Sequence, residues 1–227
     1  MSDLPVLGRE ALAAVADLCR RGIPDAPTLD ELDAALFGAE QPAVVRGDPK
    51  VGVVATVEGD GGGYMRLLVV DPESRGRGHG HALVRAAHAD ARAAGHRTLT
   101  VGSDAPFFLW PGVPSGATAL LCLLERHRYA RVDTNFDMTI DLAGIPADPG
   151  GHVLAQPGDR AEVDAWVATH WLHWRAEVLR ALDKGNLVIS RDGAGISAFC
   201  AFEVNRAGFL GPVAARPDLI GRGAGRR

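Results

Sequence analysis

The sequence has few cysteines, no long apolar run and no excess of basic residues, and each absence excludes a class of protein. Its three cysteines, Cys19, Cys122 and Cys200, are widely spaced and odd in number, which predicts neither a disulfide framework nor a zinc site. The longest apolar stretch, residues 119–124, is too short to span a bilayer, and the N-terminus lacks the pattern of a signal peptide. The net charge of −4 favours neither nucleic acid nor an acidic membrane as a partner. We therefore expect a cytoplasmic protein with no nucleic-acid partner and no membrane partner.

What is present is the composition of a folded protein, with 47% hydrophobic and 23% charged residues in a chain of 227. Apolar periodicity and turn residues predict two helices, three strands, a helix, a strand, a helix and a strand in the first part of the chain. The predicted helices cover 9–21, 28–37, 80–94 and 116–127, and the predicted strands cover 42–46, 51–58, 64–71, 97–102 and 132–141. Glycine-rich hairpin turns between the first three strands predict an antiparallel arrangement. The fold class is therefore α/β, with a mixed, largely antiparallel sheet flanked by helices.

The same pattern begins again after a segment rich in proline and glycine. We expect a first domain at 1–143, a linker at 144–151 and a partial second domain at 152–227. An ungapped offset of 145 superposes several residues of the two parts: Arg46 on Arg191, Glu58 on Glu203, Tyr64 on Phe209, Pro72 on Pro217, and Gly76, Arg77, Gly78 and Gly80 on Gly221, Arg222, Gly223 and Gly225. This predicts an internal duplication, which favours a repeat architecture. The second copy stops at the point where the first copy begins its third helix, which would leave a sheet face and an edge uncovered. We therefore expect that the natural product continues, that this chain is a fragment, or that another surface covers the gap.

Residues 75–80, Arg-Gly-Arg-Gly-His-Gly, lie between an apolar strand and a helix. Glycines let successive N–H groups point into one concavity, and the helix N-terminus adds positive potential, so the pattern predicts a pyrophosphate site. A Walker loop would need a lysine, and a Rossmann loop would need glycine where His81 stands, although Asp104 lies at a suggestive distance downstream. A glycine turn that binds nothing is the remaining alternative.

Residues 70–80 resemble the signature of the GNAT acetyltransferases, Gln/Arg-x-x-Gly-x-Gly/Ala after a strand that ends in a proline turn. The element order of residues 9–141 is similar to that fold over nearly the whole first domain, and residues 152–227 resemble its first half. The arrangement resembles the tandem GNAT proteins, here with an incomplete second domain.

The resemblance implies an N-acetyltransferase that uses acetyl-CoA as cosubstrate and no metal. The acceptor would be the primary amine of a small molecule, which attacks the thioester directly, and a homodimer is compatible with the family. The resemblance also implies which residues bind acetyl-CoA. The backbone of three strand residues would bond the pantetheine and the thioester carbonyl: Leu68, Val69 and Val70. The loop and the helix start would hold the diphosphate: Arg75, Gly76, Arg77, Gly78, His79, Gly80 and His81.

The sequence departs from the family pattern at the late helix, where many GNAT enzymes carry a tyrosine that protonates the leaving thiolate. Leu124 occupies that position and cannot donate a proton, so the catalytic residues stay unidentified. The helix-start asparagine common in the family is also missing, and Ile220 replaces Arg75 in the second copy. An alternative function is therefore a non-catalytic acyl-CoA-binding module that supports a second GNAT domain.

Other residues have a functional and a structural interpretation. The apolar loop 107–114 either lines a substrate pocket or packs on the core. Glu58 and Glu203 could act as general bases, but solvated hairpin charges are favoured. His170 and His173 could form a metal pair or an acid–base pair, but aromatic packing beside the neighbouring tryptophans is favoured.

Structural interpretations are also preferred for the remaining polar candidates. Three histidines near the loop are interpreted as polar surface contacts: His79, His81 and His88. Cys122, flanked by leucines, is interpreted as a buried thiol. The C-terminal arginines are interpreted as an exposed tail: Arg222, Arg226 and Arg227.

Overall fold

The structure is a computed structural model that describes residues 4–59, 61–141, 143–144 and 152–222. The chain divides between Asp137 and Met138 into two compact units, and each unit has its own four-stranded sheet. The domain and linker limits expected from the sequence remain a proposal.

The first unit follows the predicted order of helices and strands as far as its fourth helix. Short 3₁₀ turns lie at Arg9–Ala11 and Pro72–Ser74. The helices and strands of this unit are α1 (Leu12–Gly22), α2 (Leu29–Phe37), β1 (Val44–Asp48), β2 (Gly52–Gly59), β3 (Gly62–Val70), α3 (His79–Ala93), β4 (Leu99–Val101) and α4 (Thr118–Arg126).

Local sequence signals determine where α2 and α3 begin and end. Thr28 accepts a hydrogen bond from the Glu31 N–H at 3.3 Å, and the Glu31 carboxylate accepts one from the Thr28 N–H at 2.7 Å. This capping box satisfies two amide groups that the first turn of α2 would leave unpaired. Gly95 ends α3 in the left-handed conformation, with φ of 81°.

The first sheet has the strand order β1-β2-β3-β4. The β1–β2 and β2–β3 pairs are antiparallel, and the β3–β4 pair is parallel. The sheet is therefore mixed and largely antiparallel, as predicted, and differs from the parallel sheet of a dinucleotide-binding fold.

Alternating side chains of this sheet face two helical layers. Val53 and Val69 lie in one buried cluster with α1 and α2, whereas Val54 and Met65 lie in another with α3. Because strand side chains point alternately to the two faces, helices cover both faces of these central strands.

The prediction of a strand at 132–141 is wrong. These residues follow α4 as an exposed segment without strand pairing, although their apolar and polar residues alternate as in a strand. Alternation alone cannot supply the partner strand that a ladder requires.

The second unit contains a fully antiparallel sheet in the order β5-β6-β7-β8, with two helices on one face. Its elements are β5 (His152–Leu154), α5 (Arg160–His170), α6 (Arg175–Lys184), β6 (Leu187–Asp192), β7 (Gly195–Phe202) and β8 (Leu210–Ala215). Val167 and Ala181 of the helices are fully buried in one cluster with Phe199. On β8, Leu210 is 72% exposed and Val213 is 49% exposed. In the described residues, therefore, this sheet has an apolar face that helices leave open.

The two sheets confirm the duplication but correct part of the predicted superposition. The turns Pro72–Ser74 and Pro217–Leu219 correspond at the offset of 145, and Gly76 and Gly221 have nearly equal φ angles of 76° and 78°. The offset fails in the preceding strands because the β6–β7 hairpin is longer than the β1–β2 hairpin: the paired residues Val188 and Cys200 are 12 apart, whereas Arg46 and Val54 are 8 apart.

Strand register gives the true counterparts. Leu68 pairs with Val54, which pairs with Arg46, whereas Val213 pairs with Cys200, which pairs with Val188. Arg46 therefore corresponds to Val188 and not to Arg191.

The same reasoning separates the two glutamates. The Glu203 N–H donates to the Phe209 carbonyl at 2.7 Å, whereas the counterpart of Phe209, Tyr64, pairs with Val57. Glu203 thus corresponds to Val57 and not to Glu58.

None of the helices in the described part of the chain combines the length and the apolar character needed to cross a bilayer.

Candidate functional site

The most distinctive feature of the first sheet is the edge of β3 that β4 leaves open. The two strands pair only from Gly63 to Met65, and the last bond runs from the Gly102 N–H to the Met65 carbonyl at 3.2 Å. Gly102 then turns the chain away with a φ of 73°. A Cβ atom on Gly102 would lie 2.9 Å from the Cα of Gly112. The second half of β3 therefore has a strand partner on one side only, among the described residues.

Hydrogen-bond alternation shows which groups face this open edge. The Asp71 N–H donates to the Val51 carbonyl at 2.9 Å, so the backbone of Asp71 faces the β2 side. Because backbone groups alternate sides along a strand, Val69 also faces β2, whereas Leu68 and Val70 face the open edge. Of the three strand residues predicted to bind the pantetheine, two thus present backbone N–H and C=O groups there.

A buried ion pair lies where the two strands diverge. Arg66 forms a β-bulge opposite Ala55 and Thr56, and its guanidinium pairs with Asp104, both side chains being fully buried. The same guanidinium donates to the carbonyls of Ala35 and Gln41. This network joins β3, α2 and the segment after β4.

Sequence reasoning missed this pair, although an arginine inside an apolar strand was a visible signal. The ring of Phe107 lies 4.6 Å from the Arg66 guanidinium carbon. Burial raises the pKa of Asp104, and the charge and hydrogen bond of Arg66 oppose that rise. Asp104 is therefore the counterion of Arg66.

The glycine loop follows β3 directly. Asp71 accepts a hydrogen bond from the Glu73 N–H at 3.0 Å and so fixes the proline turn. Gly76 and Gly78 have φ of 76° and 87°, and a Cβ atom at either would meet nothing within 4 Å. Glycine is thus required there for backbone conformation, not for space.

Gly80 has a different role. A Cβ atom there would lie 2.8 Å from Cδ2 of Leu123, so Gly80 lets α3 pack closely on α4. The cap of α3 is Gly78, which has no side-chain oxygen, and no side chain in the described residues caps this end. The first N–H groups of α3 are therefore available to an anion.

The two arginine side chains of the loop differ in their contacts. Arg75 donates to the Gly22 carbonyl at the end of α1 at 3.0 Å, and to the Val70 carbonyl at 3.3 Å. Arg77 is exposed. Beside them, Arg21 donates to Asp71 at 2.8 Å, and that hydrogen bond lowers the pKa of the Asp71 carboxyl.

Four aromatic side chains form a cluster between α3 and the end of α4 that the sequence interpretation missed. The Nδ1 of His81 lies 2.9 Å from Nε2 of His127, and the Nε2 of His88 lies 3.1 Å from the Tyr129 hydroxyl. The rings of His88 and His127 meet edge to face, with 5.7 Å between centroids. Because His81 and His88 are two turns apart on α3, they share one helix face. They are not simply solvated surface residues.

The surroundings of this cluster disfavour protonation of two of its histidines, His88 and His127. Burial lowers the pKa of His88, and His127 and Arg92 lower it further. Burial also lowers the pKa of His127, with contributions from His81 and Arg85. The fold thus disfavours the charged form of these two imidazoles.

The late helix presents no acid at the position occupied by Leu124, which is 5% exposed. Burial raises the pKa of Tyr129 to about 12, so its phenol stays protonated and bonded to His88. The prediction that Cys122 is buried is wrong, since its thiol is exposed. The physical reason is helix geometry, because residues 122 and 124 lie on nearly opposite faces of α4.

The remaining candidates are placed as follows. Phe107 and Leu109 are buried in the cluster with α1 and α2, so this part of the apolar loop packs on the core. Glu58 and Glu203 are exposed near hairpin turns. The aromatic residues around His170 pack on the second sheet, where the Trp171 indole donates to the Ala215 carbonyl at 3.2 Å.

Within the described ranges, no three His, Cys, Asp or Glu side chains are arranged to hold a metal ion. In the second unit, at the positions that correspond to the glycine loop, Ile220 is 66% exposed, and Arg222 is also exposed. Gly223, Gly225, Arg226 and Arg227 lie outside the described residues.

A cavity of about 330 Å³ lies away from the loop, at the hairpin end of β2 and β3. Glu40, Glu58, Asp90 and His96 contribute to its wall. Arg46 pairs with Asp90 at 2.8 Å. This cavity is therefore separate from the open edge and from the glycine loop.

The comparisons with known proteins agree with this geometry. Residues 35–109, which run from α2 past β4, match the family described as Acetyltransferase (GNAT) domain. No curated protein matches the sequence.

Several solved structures share the fold over nearly the whole chain. A fungal multi-domain GH3 β-N-acetylglucosaminidase with a GCN5-related glucosamine N-acetyltransferase region is 22% identical, with a TM-score of 0.74 over 98% of this chain and 32% of that one. The chain thus spans about a third of that protein's length.

Two further structures are matched over most of their own length. A GCN5-related N-acetyltransferase from Sphaerobacter thermophilus is 17% identical, with a TM-score of 0.62 over 96% of this chain and 77% of that one. A tandem GNAT protein from the clavulanic acid biosynthesis pathway is 15% identical, with a TM-score of 0.57 over 95% of this chain and 79% of that one. Residues 35–109 therefore match a GNAT acetyltransferase domain, and the chain shares the fold of a tandem GNAT protein.

Proposed function

We propose that this protein transfers an acetyl group from acetyl-CoA to the primary amine of a small molecule. The observation that carries the proposal is the open edge of β3 directly before the glycine loop. Leu68 and Val70 present backbone groups there that have no strand partner among the described residues, and the N–H groups at the start of α3 follow within one short loop. A cosubstrate with an amide-bearing arm and a diphosphate matches this succession of groups.

The residues of the site would act through the backbone. The N–H groups of the edge would bond the pantetheine arm, and one of them would face the thioester carbonyl. A pre-aimed donor at that carbonyl stabilises the oxyanion that forms when the amine attacks, by about 3 kcal/mol. Gly76 and Gly78 would shape the diphosphate cradle, with Arg77 adding charge at its mouth.

The reaction balances without a covalent enzyme intermediate. The amine nitrogen forms a bond to the carbonyl carbon, the carbon–sulfur bond breaks, and the sulfur leaves with its electron pair. The proton lost by the nitrogen goes to water or to a side chain that is not identified, and the thiolate takes up a proton. Leu124 cannot supply that proton, so solvent is the proposed source.

The acceptor class has one supporting observation outside this chain. The fungal neighbour carries a region named for glucosamine N-acetyltransfer, and glucosamine is a small molecule with a primary amine. Amino sugars therefore belong in the first acceptor panel. At 22% identity the neighbour indicates a class to test and no more.

The alternative function is an acyl-CoA-binding module without catalysis. The buried leucine at position 124 favours it, because an aliphatic side chain replaces the expected acid. The two functions differ in one measurable quantity, the release of free thiol from acetyl-CoA in the presence of amines.

Calorimetric titration of the 227-residue protein with acetyl-CoA tests the site. We expect micromolar binding that Gly78→Glu weakens by at least about tenfold, or ~1.4 kcal/mol, because a carboxylate would enter the anion site. Gly95→Glu is the matched control. Gly95 also has a left-handed φ, 81°, and open space around its Cβ position, but it lies at the other end of α3.

The outcomes separate the functions. Binding that both glutamate variants retain would refute the loop assignment, and no binding by the folded wild type would refute the proposal. Binding without thiol release with any amine, amino sugars included, would favour the non-catalytic module over the transferase.

A further inference from the structure

One face of α3 carries a line of basic side chains that contains no acidic one. These side chains, called the basic row below, are His81, Arg85, His88 and Arg92. At about 3.6 residues per turn they lie within an arc of about 60° and extend over about 16 Å of helix. Asp90, the one acidic residue of α3, lies on the opposite side of the helix, about 180° from His81.

The two arginines of the basic row are available to an external anion. Arg85 and Arg92 are both exposed, and neither forms an ion pair or a side-chain hydrogen bond within the described part of the chain. Asp90 does not neutralise them, because its two oxygens accept hydrogen bonds from the Arg46 guanidinium at 2.8 and 2.9 Å. The one carboxylate of α3 is therefore already bound elsewhere.

The end of α4, which adjoins the basic row, adds imidazole and phenol groups. The Nε2 of His127 lies 2.9 Å from Nδ1 of His81, and the Tyr129 hydroxyl lies 3.1 Å from Nε2 of His88. That phenol is neutral, because burial raises its pKa to about 12. Glu125, the one acidic residue of α4, precedes His127 by two residues and so lies on nearly the opposite side of that helix.

The histidines respond to this surplus of positive charge. Burial is the largest cause that lowers the pKa of His88, and His127 and Arg92 lower it further. The pKa of His127 is lowered by burial, and then by His81 and Arg85. Arginines and imidazoles are the charged neighbours that shift both pKa values, so a carboxylate brought in from outside would act in the opposite direction.

We propose that the basic row binds an acidic helical segment of another protein. A helix with carboxylates at positions i, i+4, i+7 and i+11 repeats the spacing of the row, so two helices lying side by side can pair these groups one to one. Arginine binds a carboxylate through charge-assisted hydrogen bonds that also fix its orientation.

The charge of the whole protein favours a short acidic segment over a long polyanion. The net charge of −4 repels nucleic acid, whose affinity depends on many phosphate contacts, whereas a short helix meets only the basic row. The row shares only His81 with the acetyl-CoA site proposed above. This interaction therefore does not depend on acetyl transfer.

Binding of a synthetic helical peptide tests the proposal, measured by fluorescence anisotropy with the full 227-residue protein at low salt and without acetyl-CoA. The probe peptide carries glutamate at the positions i, i+4, i+7 and i+11, and a second peptide carries glutamine there. We expect the glutamate peptide to bind and the glutamine peptide not to bind. Arg92→Glu should weaken binding of the glutamate peptide at least about tenfold, because like charges then face each other.

Arg97→Glu is the matched control for Arg92→Glu. Arg97 is also exposed, and its replacement changes the net charge by the same amount, but it lies after the end of α3 and outside the basic row. Binding of the glutamate peptide should change less than about twofold in this variant.

The pH dependence of peptide binding provides a second readout. Carboxylates beside His88 would raise its pKa in the complex, so binding takes up protons and the affinity should rise as the pH falls from about 7.5 to about 6. His88→Gln should reduce that rise, and the variant of the exposed His173, His173→Gln, should leave it unchanged.

The outcomes decide the proposal. No binding of the glutamate peptide by the folded wild type overturns it, as does equal binding of the two peptides or equal weakening by Arg92→Glu and Arg97→Glu. An affinity that rises with acid as much in His88→Gln as in the wild type also overturns it, because His88 would then not face the peptide. Tighter binding of a single-stranded oligonucleotide of the same charge would assign the row to nucleic acid instead.

Discussion

Replacing Asp104 by asparagine is expected to destabilise the first unit strongly, because it leaves the Arg66 guanidinium without a counterion. Both side chains are fully buried, and Arg66 also supplies hydrogen bonds to the Ala35 and Gln41 carbonyls. Asparagine keeps the size of the side chain and removes its charge. The change therefore isolates the ionic part of the network.

The expected cost follows from burial. Removing one partner of a buried ion pair costs about 3–5 kcal/mol, since the remaining charge is left in a poorly polarisable interior. Arg66→Met should also be costly, because two carbonyls lose a donor at ~1–3 kcal/mol each. The double variant Arg66→Met/Asp104→Asn should cost less than the sum of the two single changes, because neither ion is then left alone.

The pH dependence distinguishes the two single variants. Burial raises the pKa of Asp104, and without Arg66 that rise is larger. A raised carboxyl pKa means that ionisation penalises the folded state, so stability falls as the pH rises from the unfolded pKa through the folded one. Arg66→Met should therefore be less destabilised in mild acid than above neutrality, whereas Asp104→Asn should show no such dependence.

Native-state hydrogen exchange of the α2 and β3 amides is the appropriate assay, because a chain with two units need not unfold in one transition. Asp17→Asn is the matched control, since the Arg20–Asp17 pair is 62% and 54% exposed and should contribute little. Protection in Asp104→Asn equal to that in the control would refute the reasoning.

Two further predictions concern the α3–α4 contact. The fold lowers the pKa of His88 and His127, so the unfolded chain binds more protons below about pH 6.5 and stability should fall as the pH drops there. Urea titrations at several pH values should show that the free energy of unfolding falls less at low pH in His127→Gln than in the wild type. In the variant of the exposed His173, His173→Gln, it should fall as much as in the wild type. Gly80→Val should cost about 1–3 kcal/mol by overpacking Leu123, and Leu123→Ala should recover part of that cost in a double-mutant cycle. Additive costs would show that the two residues are not in contact.

Much of the fold could be predicted from the sequence because the signals are local. The capping box at Thr28 and Glu31 lies within four residues, and helix periodicity and hairpin glycines act over a single element. The loop at 75–80 was found because its glycines stand between a strand and a helix, and the open edge beside Leu68 and Val70 was expected from the family resemblance alone.

Other features depend on residues far apart in the chain. Arg66 and Asp104 are 38 residues apart, and His81 and His127 are 46 apart, so no local pattern pairs them. Cys122 was misjudged because flanking leucines do not say which helix face is buried.

The sequence by itself therefore determined most of the helices and strands and the position of the glycine loop, since backbone conformation and periodicity are properties of neighbouring residues. Only the tertiary structure decided that β4 leaves β3 after Met65, that Arg66 is buried against a carboxylate, and that the strand-like residues 132–141 stay unpaired. Those outcomes depend on which distant groups the fold brings into contact, and burial and pairing energies exist only once those contacts form.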